Sequence, residues 1–341
     1  MTHVERLQRE GILRKGNRRS GFRYIYASDG RSARREMRRI RSLRVPPAWR
    51  DVAINASARG RVQAIGRDAA GRWQYVYHAA HVRARERRKF VRLLRFGAAL
   101  PPLRSAIAGD LRRRGLPRER VLATVVRVLS CAFIRPGSEV YAAENGSFGI
   151  ATLRRRHVRV AGDTVYFDFA GKSGKRQQRA LRDRGVARVV RPLLDLPGYE
   201  VFKYVASDGT VVDVRRADIN AYIKQHMGDA FSAKDFRTWT ATLICASVLA
   251  RTGSTVQEPR QRKKALVAAI KETAQQLGNT PAICRASYVS PCVVNAYEQG
   301  RVVDRHCRAV EDLIARRLRG LHPSERALLR LLKSAARNGS S

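Results

Sequence analysis

Aromatic and aliphatic residues alternate with polar ones through much of the first eighty positions. GFRYIYASDGR runs into an Asp-Gly turn, and GRVQAIGRDAAGRWQYVYH carries two strand-like runs around a glycine-containing turn. In the second run a period of two puts Trp73, Tyr75 and Tyr77 on one face and Gln74, Val76 and His78 on the other. From about residue 79 the pattern changes to long helical stretches rich in alanine and arginine, and the prolines of LPPL (100–103) are expected to break the first of them.

One later segment is strand-like again. In DTVYFDFAGKSGKRQQRALRD, Val165, Phe167 and Phe169 line one face of a strand that runs into a Gly-Lys-Ser-Gly turn. Helices resume beyond it. SAKDFRTWTATLICASVLA opens with Ser232 and Asp235 at capping-box spacing and has apolar residues at Phe236, Trp239, Leu243 and Ile244, which puts Arg237 in an early turn. KKALVAAIKETAQQLG has Leu266, Ile270, Ala274 and Leu277 at helical spacing and stops at Gly278. Thr280 then suits an N-cap with Pro281 at the first helical position, so Tyr288 falls about two turns into a short helix. The predicted class is α+β: a small β-rich amino-terminal domain over residues 1–90 and a larger, mainly helical domain over 91–341. A chain of 341 residues is long enough for both.

Charge narrows the partner. Lys and Arg total 69 against 28 Asp and Glu, a formal net charge of +41. Such a chain repels itself unless a polyanion is its usual partner, and nucleic acid is the obvious one. The basic residues are spread along the chain, in RREMRRIR (34–41), RARERRKFVRLLR (83–95) and LRRRHVRV (153–160), with apolar residues between them. The first of these suits phosphate contact and solvated surface equally. A hydrophobic content of 44% excludes a disordered basic tail. No apolar run approaches the ~20 residues of a membrane span, and MTHVERLQREG has no signal-peptide core, so a cytoplasmic protein working on DNA or RNA is expected. Five widely spaced cysteines without a C-x-x-C pair argue against disulfides and zinc. No metal-ligand motif is visible, so neither metal nor cofactor is expected.

Single motifs remain open. GKSG (171–174) fails as a phosphate loop because position 166 is a tyrosine, which leaves a hairpin turn whose lysine, Lys172, can reach into a neighbouring site. Arg135, after mostly apolar residues in CAFIRPGSEVYAAENGSFG, either snorkels to the surface or points at an anion. Arg237, early in its helix, adds to the positive end of the dipole, which is favourable only if an anion binds there. RWQYVYH suits an ordinary sheet strand and also a ribbon in a DNA groove, where glutamine bonds an adenine edge. Tyr288 alone reads as a structural aromatic. Together, a tyrosine, two arginines and a lysine on separate elements match the needs of metal-free phosphodiester transesterification: an attacking phenol, cations for the equatorial charge and an acid for the leaving alkoxide.

IRPGSEVYAAENGSFGIATLRRRHV, FAGKSGK, KDFRTW and GNTPAICRASYV, in this order, closely resemble the bacterial and poxvirus type IB DNA topoisomerases of the tyrosine recombinase superfamily. VPPAWRDV and GRDAAGRWQYVYH resemble that family's amino-terminal domain, so the likeness covers about residues 10 to 300. The resemblance implies Tyr288 as nucleophile, Arg135 and Arg237 as transition-state cations and Lys172 as general acid. Asn279 occupies the place where viral members have histidine and bacterial ones often asparagine, bonding a non-bridging phosphate oxygen. Tyr141, Asn145, Ser147 and Lys234 match positions that touch the phosphate backbone, and Gln74, Tyr75 and Tyr77 match the strand that enters the major groove. The chain departs from the family at Pro136, where a β-branched residue is usual; a proline there constrains Arg135 toward an extended backbone.

The implied fold is a β-rich domain and a mainly helical catalytic domain with a hairpin carrying Lys172, closing as a clamp on double-stranded DNA. The implied enzyme is a monomer of the cytoplasmic nucleoid. It relaxes supercoils through a 3′-phosphotyrosyl intermediate, strand rotation and religation, without ATP. A tyrosine recombinase would typically show H-x-x-R where this chain has Lys234-Asp-Phe-Arg237. An architectural DNA-binding protein would leave Arg135, Lys172, Arg237 and Tyr288 unexplained.

Overall fold

Alternating burial builds the amino-terminal unit. In the computed structural model, which describes residues 1–252, 258–304 and 319–338, with the side chains of residues 83, 85–90, 141 and 336–338 left aside, the chain divides into Met1–Lys89 and Phe90–Ser341. The first unit holds an antiparallel sheet of β1 (Ile12–Asn17), β2 (Gly21–Tyr26), β3 (Arg50–Ile54), β4 (Val62–Arg67) and β5 (Trp73–Tyr77), in the order β2-β1-β3-β4-β5. Both faces are covered: Ile12, Val52, Ile54 and Ala64 pack with Ile40 on one side, and Ala53, Val62 and Ile65 pack with Leu7 on the other. Successive residues of β3 thus serve opposite faces, as the pleat requires. Leu7 belongs to helix α1 (His3–Glu10), which Thr2 and Glu5 start with a reciprocal capping box.

Within RREMRRIR, Ile40 of α2 (Met37–Ser42) is buried and the other arginines are exposed, but Arg39 is structural. Its guanidinium donates to Glu36 Oε2 (2.6 Å), Gln63 Oε1 (3.0 Å) and the Asn55 carbonyl (2.8 Å).

LPPL does not end its helix. The α3 helix runs over Ala79–Asp110 with Pro101 and Pro102 inside it. The buried side chains Leu93, Phe96, Leu100, Leu103 and Ile107 keep helical spacing through both prolines, so packing of that stripe outweighs the lost backbone bonds. The second unit continues with α4 (Arg118–Ala132), α5 (Glu139–Asn145) and an antiparallel sheet of β6 (Val158–Ala161), β7 (Thr164–Ala170) and β8 (Arg176–Arg182) in that order. Then come α6 (Arg184–Leu193), the short pair β9 (Lys203–Val205) and β10 (Val211–Asp213), α7 (Arg216–Met227), α8 (Ala233–Thr252), α9 (Pro259–Leu277), α10 (Pro281–Ser287), α11 (Pro291–Glu298) and a helix over Pro323–Asn338.

The fold is α+β, with a β-sheet amino-terminal unit and a mainly helical second unit. Val165, Phe167 and Phe169 of β7 are buried as their alternation predicts. Within the second unit α8 is enclosed, its residues from Asp235 to Ser247 all buried; a helix segment enclosed on every side takes any charge it carries out of water. No helix of the described residues is long and apolar enough to cross a membrane, and among them no group of three His, Cys, Asp or Glu side chains is placed to hold a metal. Cys131, Cys245, Cys284 and Cys292 are free thiols, and Cys307 lies outside the described residues.

Candidate active site

Asp235 sets the start of α8 by accepting from the backbone N–H (2.9 Å) and hydroxyl (3.1 Å) of Ser232, and it also pairs with Arg92. Two residues on, Arg237 is 5% exposed. Its Nη1 donates to the carbonyl of Phe133, just past α4, at 2.6 Å, and its Nη2 to that of Leu277, the last residue of α9, at 2.9 Å. Terminal helix carbonyls lack intrahelical partners and carry the negative end of the dipole, so this guanidinium closes two helix ends at once. Its position early in α8 therefore tells less about its electrostatics than those two carbonyls do. Burial first, and then the charge of Arg135, push its pKa down from the ordinary value to about 10, against an upward pull from Tyr288. Its Nε is buried with no hydrogen-bond partner, and Cζ stands 5.3 Å from the centre of the Tyr288 ring.

Arg135 donates from Nη2 to Asn279 Oδ1 at 2.6 Å, which leaves Asn279 Nδ2 buried and without an acceptor. The backbone beneath Arg135 is fixed by close contact between two glycines. Ile150 N–H donates to the Arg135 carbonyl (2.8 Å) and Ala151 N–H to that of Pro136 (3.0 Å). A Cβ on Gly149 would meet the Gly137 nitrogen and Cα at 2.4 Å, and Gly137 itself has φ +86°. With Pro136 in place, Arg135 reaches Asn279.

Tyr288 follows the last turn of α10, which Thr280 caps by accepting from Ile283 N–H at 3.3 Å. The ring is half-buried against the core. Thr242, fully buried on α8, donates its hydroxyl to the Tyr288 carbonyl (3.1 Å) and accepts from Ser290 N–H (3.2 Å), pinning the backbone on both sides of Val289. The nearby Tyr297, by contrast, is 3% exposed in the core.

Lys172 is exposed at the tip of the β7–β8 hairpin, in a turn where Ser173 has φ 63°, and its ammonium group has no hydrogen bond to the described residues. The structure brings Arg135, Arg237, Asn279 and Tyr288 together; Lys172 is connected to them through its strand. On β8, Arg179 Nη2 donates to the Gln276 carbonyl at 2.9 Å, and Gln177 lies against Gly278, where a Cβ would meet its amide oxygen at 2.7 Å. Gly278 immediately precedes Asn279.

Of the expected DNA contacts, Lys234 is exposed in the first turn of α8 and Asn145 is exposed at the end of α5. Ser147 is half-buried and donates to the Asn145 carbonyl at 3.4 Å. Tyr141 lies in α5 with its side chain outside the described residues. In the first unit Gln74 donates to Asp68 Oδ2 at 2.8 Å, while Tyr75, 39% exposed, stacks on the half-buried Tyr77 with ring centres 6.2 Å apart. Sequence reasoning missed Thr242 and Arg179. For Arg179 a signal existed, since period two places Gln177, Arg179 and the buried Leu181 on one face of β8.

Residues 79–300 match the family described as the catalytic core of eukaryotic DNA topoisomerase I, and residues 21–68 match the N-terminal domain of bacterial DNA topoisomerase IB. The chain is 32% identical over 304 residues to DNA topoisomerase 1B of Acanthamoeba polyphaga mimivirus, covering 87% of this chain and 90% of that protein. It is 21% identical over 274 residues to DNA topoisomerase 1B of vaccinia virus strain Copenhagen, covering 78% and 83%. With DNA topoisomerase 1 of Mycosarcoma maydis it shares 22% over 203 residues, 53% of this chain and 20% of that protein.

Proposed function

The chain belongs to the type IB DNA topoisomerases, and we propose that Tyr288 is its nucleophile, Arg135, Arg237 and Asn279 its phosphate-binding set, and Lys172 its general acid. As a type IB topoisomerase it is an isomerase whose substrate is DNA. In this reading Tyr288 Oη gives up its proton to solvent as it attacks a backbone phosphorus, and the bond to the 5′-oxygen breaks. The leaving oxygen takes a proton from Lys172 Nζ, and a 3′-phosphotyrosyl bond remains. The freed 5′-hydroxyl end rotates, releasing supercoils, and then attacks the phosphotyrosine to restore the strand. The energy of the broken phosphodiester is kept in the covalent link, so no ATP is required, and in this reading the arginines and Lys172 supply the charge stabilisation and proton that a metal would otherwise provide.

One observation carries this reading. Arg237 is a buried cation beside a tyrosine ring, with its Nε unpartnered and no carboxylate paired to Arg135, Arg179 or Arg237 among the described residues. A buried charge left in that condition is costly in the resting protein and is compensated by an anion, which a pentacoordinate phosphorane provides.

Lys234, Asn145, Ser147 and Tyr141 then hold the backbone phosphates, and Gln74, Tyr75 and Tyr77 enter the major groove. Gln74 must exchange its bond to Asp68 for a base edge, whereas Tyr75 is already exposed. The two units close on the duplex as a clamp, and the enzyme works as a monomer on the nucleoid. The recombinase and architectural alternatives give way to the family assignment. Supercoiled plasmid in excess chelator and without ATP tests the reaction: both signs of supercoil are relaxed, and denaturant traps DNA on a peptide containing Tyr288. Strict dependence on magnesium or ATP, or an adduct on another residue, would reject it.

A further inference from the structure

Two guanidinium groups close the same helix end. Arg237 takes the Leu277 carbonyl, and Arg179 takes the carbonyl of Gln276, the residue before it. Burial pushes the Arg179 pKa below its ordinary value, and the charge of Arg179 helps to depress Arg237. Setting two cations there without a paired carboxylate is unfavourable in itself. What it achieves is a mechanical link, because Arg179 sits on β8 and Arg237 on α8, and the α9 end between them leads directly into Asn279.

The hairpin needs such a link. Its base is secured by pairing from Thr164↔Arg182 to Ala170↔Arg176, but Lys172 lies beyond the last pair. Arg179 lies three residues C-terminal to Arg176, about 10 Å along the strand on the base side of that pair, so a small tilt at Arg179 becomes a large displacement at the tip. The Gln177–Gly278 contact lies between them on the same face. We propose that Arg179 is a positioning residue: its bond to the carboxyl end of α9 docks the β7–β8 hairpin beside the Arg135–Asn279 pair and thereby presents Lys172 to the leaving 5′-oxygen. This rests on the reading of Lys172 as the acid, and the test separates the two.

The variants are Arg179→Ala, Arg179→Lys and Lys172→Ala, each assayed for single-turnover cleavage of a duplex with the normal linkage and of one with sulfur at the bridging 5′ position. A thiolate, whose conjugate acid has a pKa of about 8.5, departs with little need for a proton. Arg179→Ala loses part of the roughly 10²- to 10⁴-fold that a general acid supplies, about 10- to 100-fold, on normal DNA, and recovers on the sulfur substrate as Lys172→Ala does. Arg179→Lys keeps most of the rate, because an ammonium group can still donate to one carbonyl. In the free protein, amide exchange over residues 171–178 rises in Arg179→Ala and stays near wild type in Arg179→Lys.

A deficit in Arg179→Ala that persists on sulfur while that of Lys172→Ala is recovered overturns the proposal, since Arg179 would then act on the phosphate itself. Unchanged exchange in Arg179→Ala overturns it as well. Failure of sulfur to recover Lys172→Ala removes the acid role of Lys172, and the docking role of Arg179 is then decided by exchange alone. If Arg179→Ala does not fold, Gln177→Ala, which removes the neighbouring contact, takes its place with the same expected direction in both readouts.

Discussion

A guanidinium held in the interior by two helix-terminal carbonyls does two jobs, and single substitutions separate them. Arg237→Ala leaves the carbonyls of Phe133 and Leu277 without their donor. Buried acceptors stranded in this way cost about 1–3 kcal/mol each, so the variant should lose about 2 kcal/mol or more in denaturant unfolding besides losing covalent-adduct formation. Tyr288→Phe should behave otherwise, because it gives up one oxygen and almost no volume. It is expected to fold and bind DNA as wild type and to yield no adduct; an adduct of normal yield would reject Tyr288 as the nucleophile. Thr242 offers a third case. Thr242→Val keeps the shape but removes the hydroxyl that fixes the backbone at Tyr288 and Ser290. A loss of about 1–2 kcal/mol and slower cleavage follow, with both restored in Thr242→Ser, and equal rates for the valine and serine variants would show that this pin does not position the tyrosine.

Elements were legible where their period was long and their ends were marked. Thr280-Pro281 announced α10, Gly278 closed α9, and Val165, Phe167 and Phe169 disclosed the buried face of β7. Elsewhere local rules lost to packing. Pro101 and Pro102 sit inside α3 because the stripe from Leu93 to Ile107 is buried on both sides of them, which no local pattern reveals. Likewise, residue types and the family resemblance singled out Arg135, Arg237 and Tyr288 as candidates, but the carbonyls that hold Arg237 lie at the ends of helices about a hundred residues before it and forty after it. The contact of Gly149 with Gly137 is equally invisible locally, and it supports the segment that carries Arg135. Gly149→Ala places a carbon against backbone atoms that have no rotamer to yield. Overpacking of this kind costs typically 1–3 kcal/mol. Cleavage should fall at least about tenfold, since misplacement by an ångström can cost 10²-fold, while DNA binding is retained. Normal cleavage by a stably folded Gly149→Ala protein would show that Arg135 tolerates the shift.

Across the whole molecule, part of the small acidic complement is used inside the protein. Asp183, Asp235 and Glu325 are buried, and each is paired with an arginine: Arg127, Arg92 and Arg104 respectively. The excess of +41 is therefore carried in large part by arginines such as Arg34, Arg35, Arg38 and Arg41, which are exposed. Surface cations that meet phosphates release counterions, and log affinity then falls linearly with log salt. With 6–10 phosphate contacts, binding should weaken by roughly 10³- to 10⁵-fold between about 50 and 200 mM salt, and Lys234→Ala should reduce the slope by about one. The cations of the proposed active site obey a different rule. Arg237 is enclosed and beyond the reach of mobile ions, which screen buried charges far less than exposed ones. Once enzyme is in excess and every duplex is bound, the rate of adduct formation should change little over the salt range that abolishes binding at low concentration. A flat binding plot would remove the electrostatic account of the charge. A cleavage rate at saturation that falls as steeply as the affinity would mean that the reacting phosphate is held by exposed cations, and that buried Arg237 with the half-buried Arg135 and Asn279 beside it is not where the transition-state charge resides.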